Sequence, residues 1–164
     1  MVHLRLATPA DAPTIHALAH RIWWAHYPDI VTNAQIEFML ERGYSEPALV
    51  QQMAEGQVFH LVFGAEQTEP LGYISMSPKG PGAYFIHKYY LDGAQQGKGL
   101  GAQAFQQLLL LYPDLQEVRL AVNRKNYKSI NFYFKIGFTI HHCMDVDIGN
   151  GFFMNDFEMI WKKK

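Results

Sequence analysis

The sequence has 164 residues, of which 49% are hydrophobic and 18% charged, and its formal net charge is −1. Such a length is typical of one domain, expected over residues 1–164, and such a composition excludes a disordered chain. The near-neutral charge argues against a protein whose main task is to bind nucleic acid or an anionic membrane. No apolar run has the ~20 residues of a membrane span, and no signal-peptide pattern is present. We therefore expect a cytoplasmic protein with neither nucleic acid nor membrane as a partner.

Cysteine and histidine usage predicts no metal site. The single cysteine, Cys143, excludes an intrachain disulfide and a cysteine-based zinc site, and it is expected to be a small buried hydrophobe. His16 and His20 have a spacing found in metal sites, but the sequence offers no evident third ligand. Aromatic residues make up 14% of the chain, a share high enough to suggest a use beside the core.

The first part of the chain predicts one strand and three helices. Residues 2–7 alternate as a strand does, and Thr8-Pro9-Ala10-Asp11 has the pattern of a helix start with a capping box. Thr32-Asn33-Ala34-Gln35 repeats that pattern for a second helix, which should end at Gly43. Ser45-Glu46-Pro47 then predicts the start of a third helix.

The remainder of the chain is rich in predicted strands. Residues that favour strands, separated by turn residues, predict an antiparallel meander over 58–64, 71–77 and 83–91. A helix, a strand, a second helix and a final hairpin follow at 102–112, 118–122, 129–136 and 138–161. This order of elements predicts an α+β fold, a mixed sheet with helices on both faces.

A glycine-rich turn, Gln96-Gly97-Lys98-Gly99-Leu100-Gly101, joins a predicted strand to a predicted helix. Its backbone N–H groups can converge and the helix adds a partial positive charge, so the turn suits a phosphate or pyrophosphate. A tight turn without a ligand is the alternative. A P-loop is excluded because Lys98 precedes glycine rather than Ser or Thr. A dinucleotide site fits poorly because the turn follows an antiparallel meander and no acidic residue ends the next strand.

The third interpretation of this turn is the pyrophosphate site for acetyl-coenzyme A (acetyl-CoA). Gln96, Gly99 and Gly101 match the motif of the GNAT (GCN5-related N-acetyltransferase) superfamily, which the sequence resembles: Arg or Gln, two residues, Gly, any residue, then Gly or Ala. The resemblance implies a single domain with a mostly antiparallel sheet of about seven strands, splayed between the fourth and fifth. It also implies acetyl-CoA as co-substrate, bound through Tyr89, Leu91, Gln96, Gly97, Lys98, Gly99, Leu100 and Gly101.

A second segment, residues 126–138, resembles the other signature of this family: Asn, two residues, a small residue, two residues, an aromatic, Tyr, then Gly-Phe. On a helix, Tyr133 lies one turn after Ser129 and on the same face as Asn126. A phenol can protonate the thiolate that leaves acetyl-CoA, which is the role that the resemblance assigns to Tyr133. Asn126 and Ser129 are implied to bind the cofactor. A core aromatic and a helix N-cap are the alternatives for Tyr133 and Asn126.

The acceptor amine must lose a proton, because an ammonium has no lone pair for direct attack within a ternary complex. His87 is a candidate base. A strand period of two puts it on the face of Tyr89 and Leu91, and the usual pKa of histidine suits proton transfer near neutrality. A packed structural histidine is the alternative.

Aromatic residues of the first 91 positions are candidates for the acceptor pocket. They are Trp23, Trp24, Tyr27, Tyr44 and Tyr84, which lie where this family builds its acceptor cleft. Such a pocket would suit an aliphatic or cationic amine. Residues 1–91 carry five basic and eight acidic side chains, whereas residues 92–140 carry six basic and three acidic ones. The first part therefore suits an amine and the second suits CoA phosphates.

The resemblance implies an N-acetyltransferase that transfers acetyl to a primary amine of a small molecule. Two segments, around Trp23-Trp24 and 149–157, are similar to those of bacterial diamine or polyamine acetyltransferases. The alternatives are acetylation of a protein N-terminus or lysine, and a non-catalytic acyl-CoA-binding module. Dimers are frequent in the family, so a homodimer is possible.

Overall fold

A computed structural model describes residues 1–95 and 97–164, which form seven strands and five α-helices. The strands are β1 (Val2–Leu6), β2 (Val58–Gly64), β3 (Gly72–Pro78), β4 (Ala83–Leu91), β5 (Glu117–Asn123), β6 (Thr139–Gly149) and β7 (Phe152–Lys162). The helices are α1 (Ala12–His26), α2 (Asn33–Tyr44), α3 (Glu46–Ala54), α4 (Leu100–Leu111) and α5 (Tyr127–Lys135), with short 3-10 turns at Pro9–Asp11 and Gly93–Gln95. No helix in the described part of the chain is long and apolar enough to cross a membrane.

The seven strands form one sheet in the order β1-β2-β3-β4-β5-β7-β6. Neighbouring strands are antiparallel except for β4 and β5, which are parallel. The predicted meander corresponds to β2, β3 and β4, and the predicted hairpin to β6 and β7. The prediction of a mostly antiparallel mixed sheet of about seven strands is confirmed.

The parallel pair separates part of the way along its length. Pairing runs from Ala83 opposite Glu117 to Ile86 opposite Leu120, but β4 continues to Leu91 and β5 to Asn123. Beyond Ile86, the edge of β4 that faces β5 therefore has no strand partner. The predicted splay between the fourth and fifth strands is present.

A hydrophobic core lies on each face of the sheet. One core packs α1, α2 and α3 against Phe59, Leu61 and Tyr73 of the sheet. The other packs α4 and α5 against the opposite face, where Ile74 and Val118 lie. Alternate residues of β2 and β3 face the two cores, as the strand period requires. The prediction of helices on both faces is confirmed.

The helix starts follow the predicted chemistry, but one helix end does not. Thr32 Oγ1 accepts a hydrogen bond from the Gln35 N–H at 3.2 Å, and Ser45 Oγ accepts one from the Ala48 N–H at 3.3 Å. The prediction that α2 ends at Gly43 is wrong, because the helix continues through buried Tyr44. Ser45, in an extended conformation, ends α2 and caps α3.

The hairpin of β6 and β7 extends beyond the end of β5. The turn end of the hairpin contacts α2. The Gln35 side-chain amide donates to the Phe153 carbonyl at 3.0 Å, the Arg42 guanidinium donates to the Ile148 carbonyl, and the rings of Phe38 and Phe152 lie 5.2 Å apart. We call this turn end, residues 148–155, the hairpin arm.

Cys143 is exposed on edge strand β6, so its predicted burial is wrong: the outermost strand leaves it uncovered.

Candidate active site

Two cavities meet at the gap between β4 and β5. The aromatic cavity, of about 450 Å³, lies beside α1 and α2 and is lined by Trp23, Tyr27, Tyr44, Lys88, Tyr90 and Asp156, among others. The glycine-turn cavity, of about 630 Å³, is lined by Leu91, Gly97, Gly99, Leu100, Lys128 and Lys135, among others. Tyr89, Ser129 and Tyr133 line both. Each cavity has the size of a small-molecule site.

The glycine turn has a backbone conformation that residues other than glycine adopt only with strain. Gly97 and Gly99 have φ values of +81° and +72°, and a Cβ atom at either would meet nothing within 4 Å. The open space means that conformation, rather than packing, requires glycine at these two positions. Gly99 is the N-cap of α4, whose first N–H groups lack helical partners and give that end a partial positive charge. The turn and the cavity beside it therefore suit an anion.

Two neighbours support this turn. The Tyr89 hydroxyl donates to the Gly101 carbonyl at 2.6 Å, which ties β4 to the first turn of α4. A Cβ atom at Gly101 would lie 2.9 Å from the Phe132 ring, so glycine here allows α4 and α5 to approach closely. The structure thus brings Tyr89, Leu91, Gly97, Gly99, Leu100 and Gly101 together. Lys98 is exposed within the turn, and Gln96 lies outside the described residues.

Asn126 has the capping contact that was the alternative to cofactor binding. Its Oδ1 accepts a hydrogen bond from the Ser129 N–H at 3.3 Å and lies 3.1 Å from His26 Nε2. The side chain is buried and joins the end of α1 to the start of α5. Asn126 therefore positions α5, on which Ser129 and Tyr133 face the cavities.

Tyr133 places a phenol at the junction of the two cavities. Its ring packs edge-on against Tyr89 with centroids 6.3 Å apart, and against Phe138 at 5.5 Å. Within the described residues, no group hydrogen-bonds to its hydroxyl. Burial raises the pKa of Tyr133 well above its usual value, so the phenol stays protonated and can donate.

His87 lines the aromatic cavity, but its place on β4 and its pKa differ from those expected of the proposed base. Lys88 pairs with Ser75 and Ile86 with Met76, so His87 is the extra residue of a β-bulge. The bulge interrupts the strand period: Tyr89 joins Ile86 in the core under α4 and α5, whereas the His87 ring packs against Phe85 at 5.0 Å. His87 Nε2 lies 2.7 Å from Ser77 Oγ, and burial together with nearby positive charge lowers its pKa to about 4.

The candidate acceptor aromatics divide into two groups. Trp23, Tyr27 and Tyr44 line the aromatic cavity, where the Tyr27 and Tyr90 hydroxyls are 2.9 Å apart. Trp24 and Tyr84 line neither cavity, so their assignment is corrected. Trp24 lies on the outer side of α1.

Tyr84 lies at the start of β4, away from both cavities. It packs against Tyr112 at 5.4 Å and donates to Asp114 at 3.0 Å. Its ring and hydroxyl are therefore occupied by the segment that follows α4.

Two buried charged residues in the aromatic cavity were missed by sequence reasoning. Asp156, on β7 opposite Asn123, is 2% exposed, and its Oδ2 has no hydrogen-bond partner among the described residues. Burial raises the pKa of Asp156 to about 6. Lys88, on β4, is also buried. The available signal was an aspartate within an apolar strand, a position where aspartate is rare.

Comparison with known proteins identifies the family of this chain. Residues 17–138 match the acetyltransferase (GNAT) family. The chain belongs to this family. It is a GNAT acetyltransferase in which both cavities are built largely from the matched segment. No curated protein gave a significant sequence match.

Solved structures share the fold of this GNAT acetyltransferase. PaiA N-acetyltransferase from Thermoplasma acidophilum, in complex with coenzyme A, is 22% identical with a TM-score of 0.80, and 99% of each chain is covered. RimL, a ribosomal L7/L12 alpha-N-protein acetyltransferase in complex with coenzyme A, is 24% identical with a TM-score of 0.68, covering 98% of this chain and 93% of that one. An acetyltransferase from Salmonella typhimurium that modifies the N-terminal serine of L7/L12 is 22% identical with a TM-score of 0.71, covering 99% and 95%.

In this acetyltransferase, the described residues that could jointly hold a metal lie away from both cavities. His141, His142 and Glu158 have ligand atoms within 4.8 Å of one another. Glu158 also accepts a hydrogen bond from the Arg119 guanidinium at 3.0 Å, which places a positive charge where a cation would bind. This cluster is therefore an ion-pair network of the sheet.

The buried carboxylate of Asp156 predicts a gain in stability on substitution. Its raised pKa means that the folded protein binds this proton more tightly than the unfolded chain, so stability falls as the pH rises from about 4 to about 6 and the full cost remains above pH 6. Asp156→Asn should raise the free energy of unfolding at pH 7 by up to about 3 kcal/mol. Urea unfolding at pH 7 measures this. The gain should disappear below about pH 4, where both states carry the proton, and an equal effect at both pH values would contradict the explanation.

Proposed function

We propose that this acetyltransferase transfers the acetyl group of acetyl-CoA to a primary amine of a small molecule by direct attack in a ternary complex. The observation that carries the proposal is the wall that both cavities share, formed by Tyr89, Ser129 and Tyr133. A donor in one cavity and an acceptor in the other would meet at this wall. Holding the two reactants together is itself a large part of such catalysis.

The glycine-turn cavity is the proposed donor site. Amides of the turn and the N-terminus of α4 would bind the pyrophosphate, as the family motif implies. Lys128 and Lys135 line the same cavity and add positive charge for the phosphates. The unpaired edge of β4 after Ile86 offers backbone groups to the pantetheine arm. Two solved structures of the same fold contain coenzyme A, which supports this choice of donor.

Tyr133 is the proposed acid. Attack by the amine nitrogen on the thioester carbonyl forms the C–N bond, and the C–S bond then breaks to release a thiolate. Because its hydroxyl has no hydrogen-bond partner among the described residues and is held protonated, Tyr133 can give its proton to that sulfur. Its place on the shared wall supports this role.

Asp156 replaces His87 as the proposed base. Asp156 lines the aromatic cavity, its Oδ2 has no hydrogen-bond partner among the described residues, and a pKa of about 6 leaves it ionised at neutral pH. The carboxylate can therefore hold the acceptor as an ammonium and take its proton as the nitrogen attacks. His87 is less suited, because its pKa is about 4 and its ring is occupied by Ser77.

The enclosure of the aromatic cavity favours a small acceptor over a protein. The hairpin arm is fixed to α2 through Gln35, Arg42 and Phe38, and both the arm and α2 contribute to the cavity wall. A volume of about 450 Å³ suits a small molecule rather than a length of polypeptide. Two acetyltransferases of similar fold act on the ribosomal protein L7/L12, so an N-terminal peptide is the acceptor to compare with small amines.

The donor site is tested by Gly99→Asp. Substitution adds a negative charge and strains a backbone of φ +72°, so the dissociation constant of CoA should rise at least tenfold. Isothermal titration calorimetry measures it. Gly151→Asp is the matched control, because Gly151 has φ +78°, equal open space and a position at the hairpin tip. Equal CoA affinity in the two variants would contradict the assignment.

The reaction is tested by thiol release from acetyl-CoA with a panel of primary amines and an N-terminal seryl peptide. Turnover should be found with small amines. Tyr133→Phe should lower kcat by about 10- to 1,000-fold while CoA affinity changes less than twofold. Tyr84→Phe makes the same chemical change outside both cavities and should leave kcat unaltered.

Two results would contradict these proposals. Wild-type kcat in Tyr133→Phe would remove the acid role. Turnover with the peptide alone would replace the small amine by a protein acceptor.

The base is tested by the pH dependence of kcat/KM. In the wild type, a plot of log(kcat/KM) against pH should show a break near pH 6. Below it, protonation of Asp156 should add one unit to the slope of the plot. Asp156→Asn should lower kcat/KM by about 100-fold or more and should lack this break. Asp145→Asn, on exposed β6, removes an equal charge outside the cavities and should keep the break. A break that persists in Asp156→Asn would assign the proton to another group.

A further inference from the structure

We infer that the acceptor carries a carboxylate as well as its amine, and that Lys88 binds this carboxylate in the aromatic cavity. The inference rests on the proposed function and names the substrate class of the same site. It assigns a specificity role to a residue outside both family motifs.

Lys88 is a buried cation that faces the cavity. It is 8% exposed and lies on β4 immediately after the bulge, which turns its side chain toward α2. Its Nζ lies 4.9 Å from the ring centroid of Tyr44 and 5.5 Å from that of Phe59. Ring faces attract a cation but accept no strong hydrogen bond from it, so the three N–H donors of the ammonium remain available.

No acidic side chain among the described residues neutralises Lys88. It forms no ion pair and no hydrogen bond with them, and the one acid that lines the cavity, Asp156, makes no contact with it. Burying an unpaired charge is costly, which accords with the lowered pKa of Lys88, about 8. A carboxylate brought by the substrate would supply the missing counter-charge and hydrogen-bond acceptors.

The other charges of the cavity point the same way. Arg42 also lines it from α2, while its guanidinium donates to the Ile148 carbonyl of the hairpin arm. Lys88 and Arg42 thus oppose the single negative charge of Asp156. A polyamine would place several positive charges beside these two cations, so the cavity disfavours the polyamine acceptor that sequence similarity suggested.

The two charged ends of the site lie on opposite sides of the gap. Lys88 approaches from β4, and Asp156 approaches from β7 beside β5, both on the sheet face covered by α1 to α3. An amino carboxylate matches this arrangement with its ammonium toward Asp156 and its carboxylate toward Lys88. Such a substrate is oriented at both ends, which would present its nitrogen to the thioester in one way.

The test compares amino carboxylates with their uncharged analogues. Glycine, β-alanine, 4-aminobutyrate and 6-aminohexanoate are each assayed by thiol release against the corresponding carboxamide. For at least one chain length, wild-type kcat/KM should be tenfold or more higher for the carboxylate. Lys88→Met, which keeps the length of the side chain, should lower kcat/KM for the carboxylate more than for the carboxamide and so remove this ratio.

Lys79→Met is the matched control. Lys79 lies in the turn before β4, is exposed, and does not line the cavity, so the ratio should persist. CoA affinity and thermal unfolding of Lys88→Met establish that it folds, which is expected since the change removes a buried charge. The inference would be overturned if wild-type kcat/KM were equal for carboxamides and carboxylates. It would also be overturned if Lys88→Met lowered kcat/KM equally for both.

Calorimetry separates this inference from the proposed function. The same compounds are titrated into the CoA complex, where no acetyl transfer occurs. Carboxylate binding that is lost in Lys88→Met would uphold the anion site even if no amine is acetylated, whereas absence of carboxylate binding would overturn it. Mass spectrometry after incubation with acetyl-CoA is a further check: acetylated Lys88 would make this residue an acyl acceptor and not an anchor.

Discussion

The structure of the site depends on the end of pairing between β4 and β5 at Ile86 and Leu120. Two parallel strands that diverge leave unpaired backbone groups, which are costly to bury without a partner. Here they open onto the two cavities, so a ligand can complete the hydrogen bonding that the sheet leaves unfinished. The bulge at His87 lies at the same point and reverses the faces of β4. Tyr89 and Leu91 consequently support the glycine turn, while Lys88 and Tyr90 face the other cavity.

The site is held in place by contacts that are themselves local and well satisfied. Tyr89 fixes the glycine turn through the Gly101 carbonyl, and Asn126 fixes the start of α5. Asp156 and Lys88 differ from them, because within the described part of the chain neither buried side chain forms an ion pair. A charge held in this way destabilises the free protein and binds an opposite charge more strongly than an exposed group would. Stability and substrate affinity are therefore opposed at these two positions.

Sequence reasoning succeeded where structure is set by neighbours along the chain. The caps at Thr32 and Ser45, the glycine turn and the hairpin each depend on a few adjacent residues, and the order of the elements along the chain predicts a mixed sheet. It failed at His87, where one extra residue on β4 interrupts the strand period. Asp156 lies far along the chain from Lys88, and nothing local indicates that both line one cavity. Trp24 was misassigned because adjacent helical residues point about 100° apart.

Charge counted by segment differs from the charge that lines the aromatic cavity. Residues 1–91 are acidic on balance, yet Lys88 and Arg42 belong to this segment and line the aromatic cavity. Exposed acidic groups are screened by water and act weakly on a buried ligand, whereas one buried cation acts at short range through a low dielectric. The buried charges of the cavity, Lys88 and Asp156, therefore weigh more in the proposed choice of acceptor than the balance of the segment. A zwitterion is the smallest acceptor that could pair with both Lys88 and Asp156.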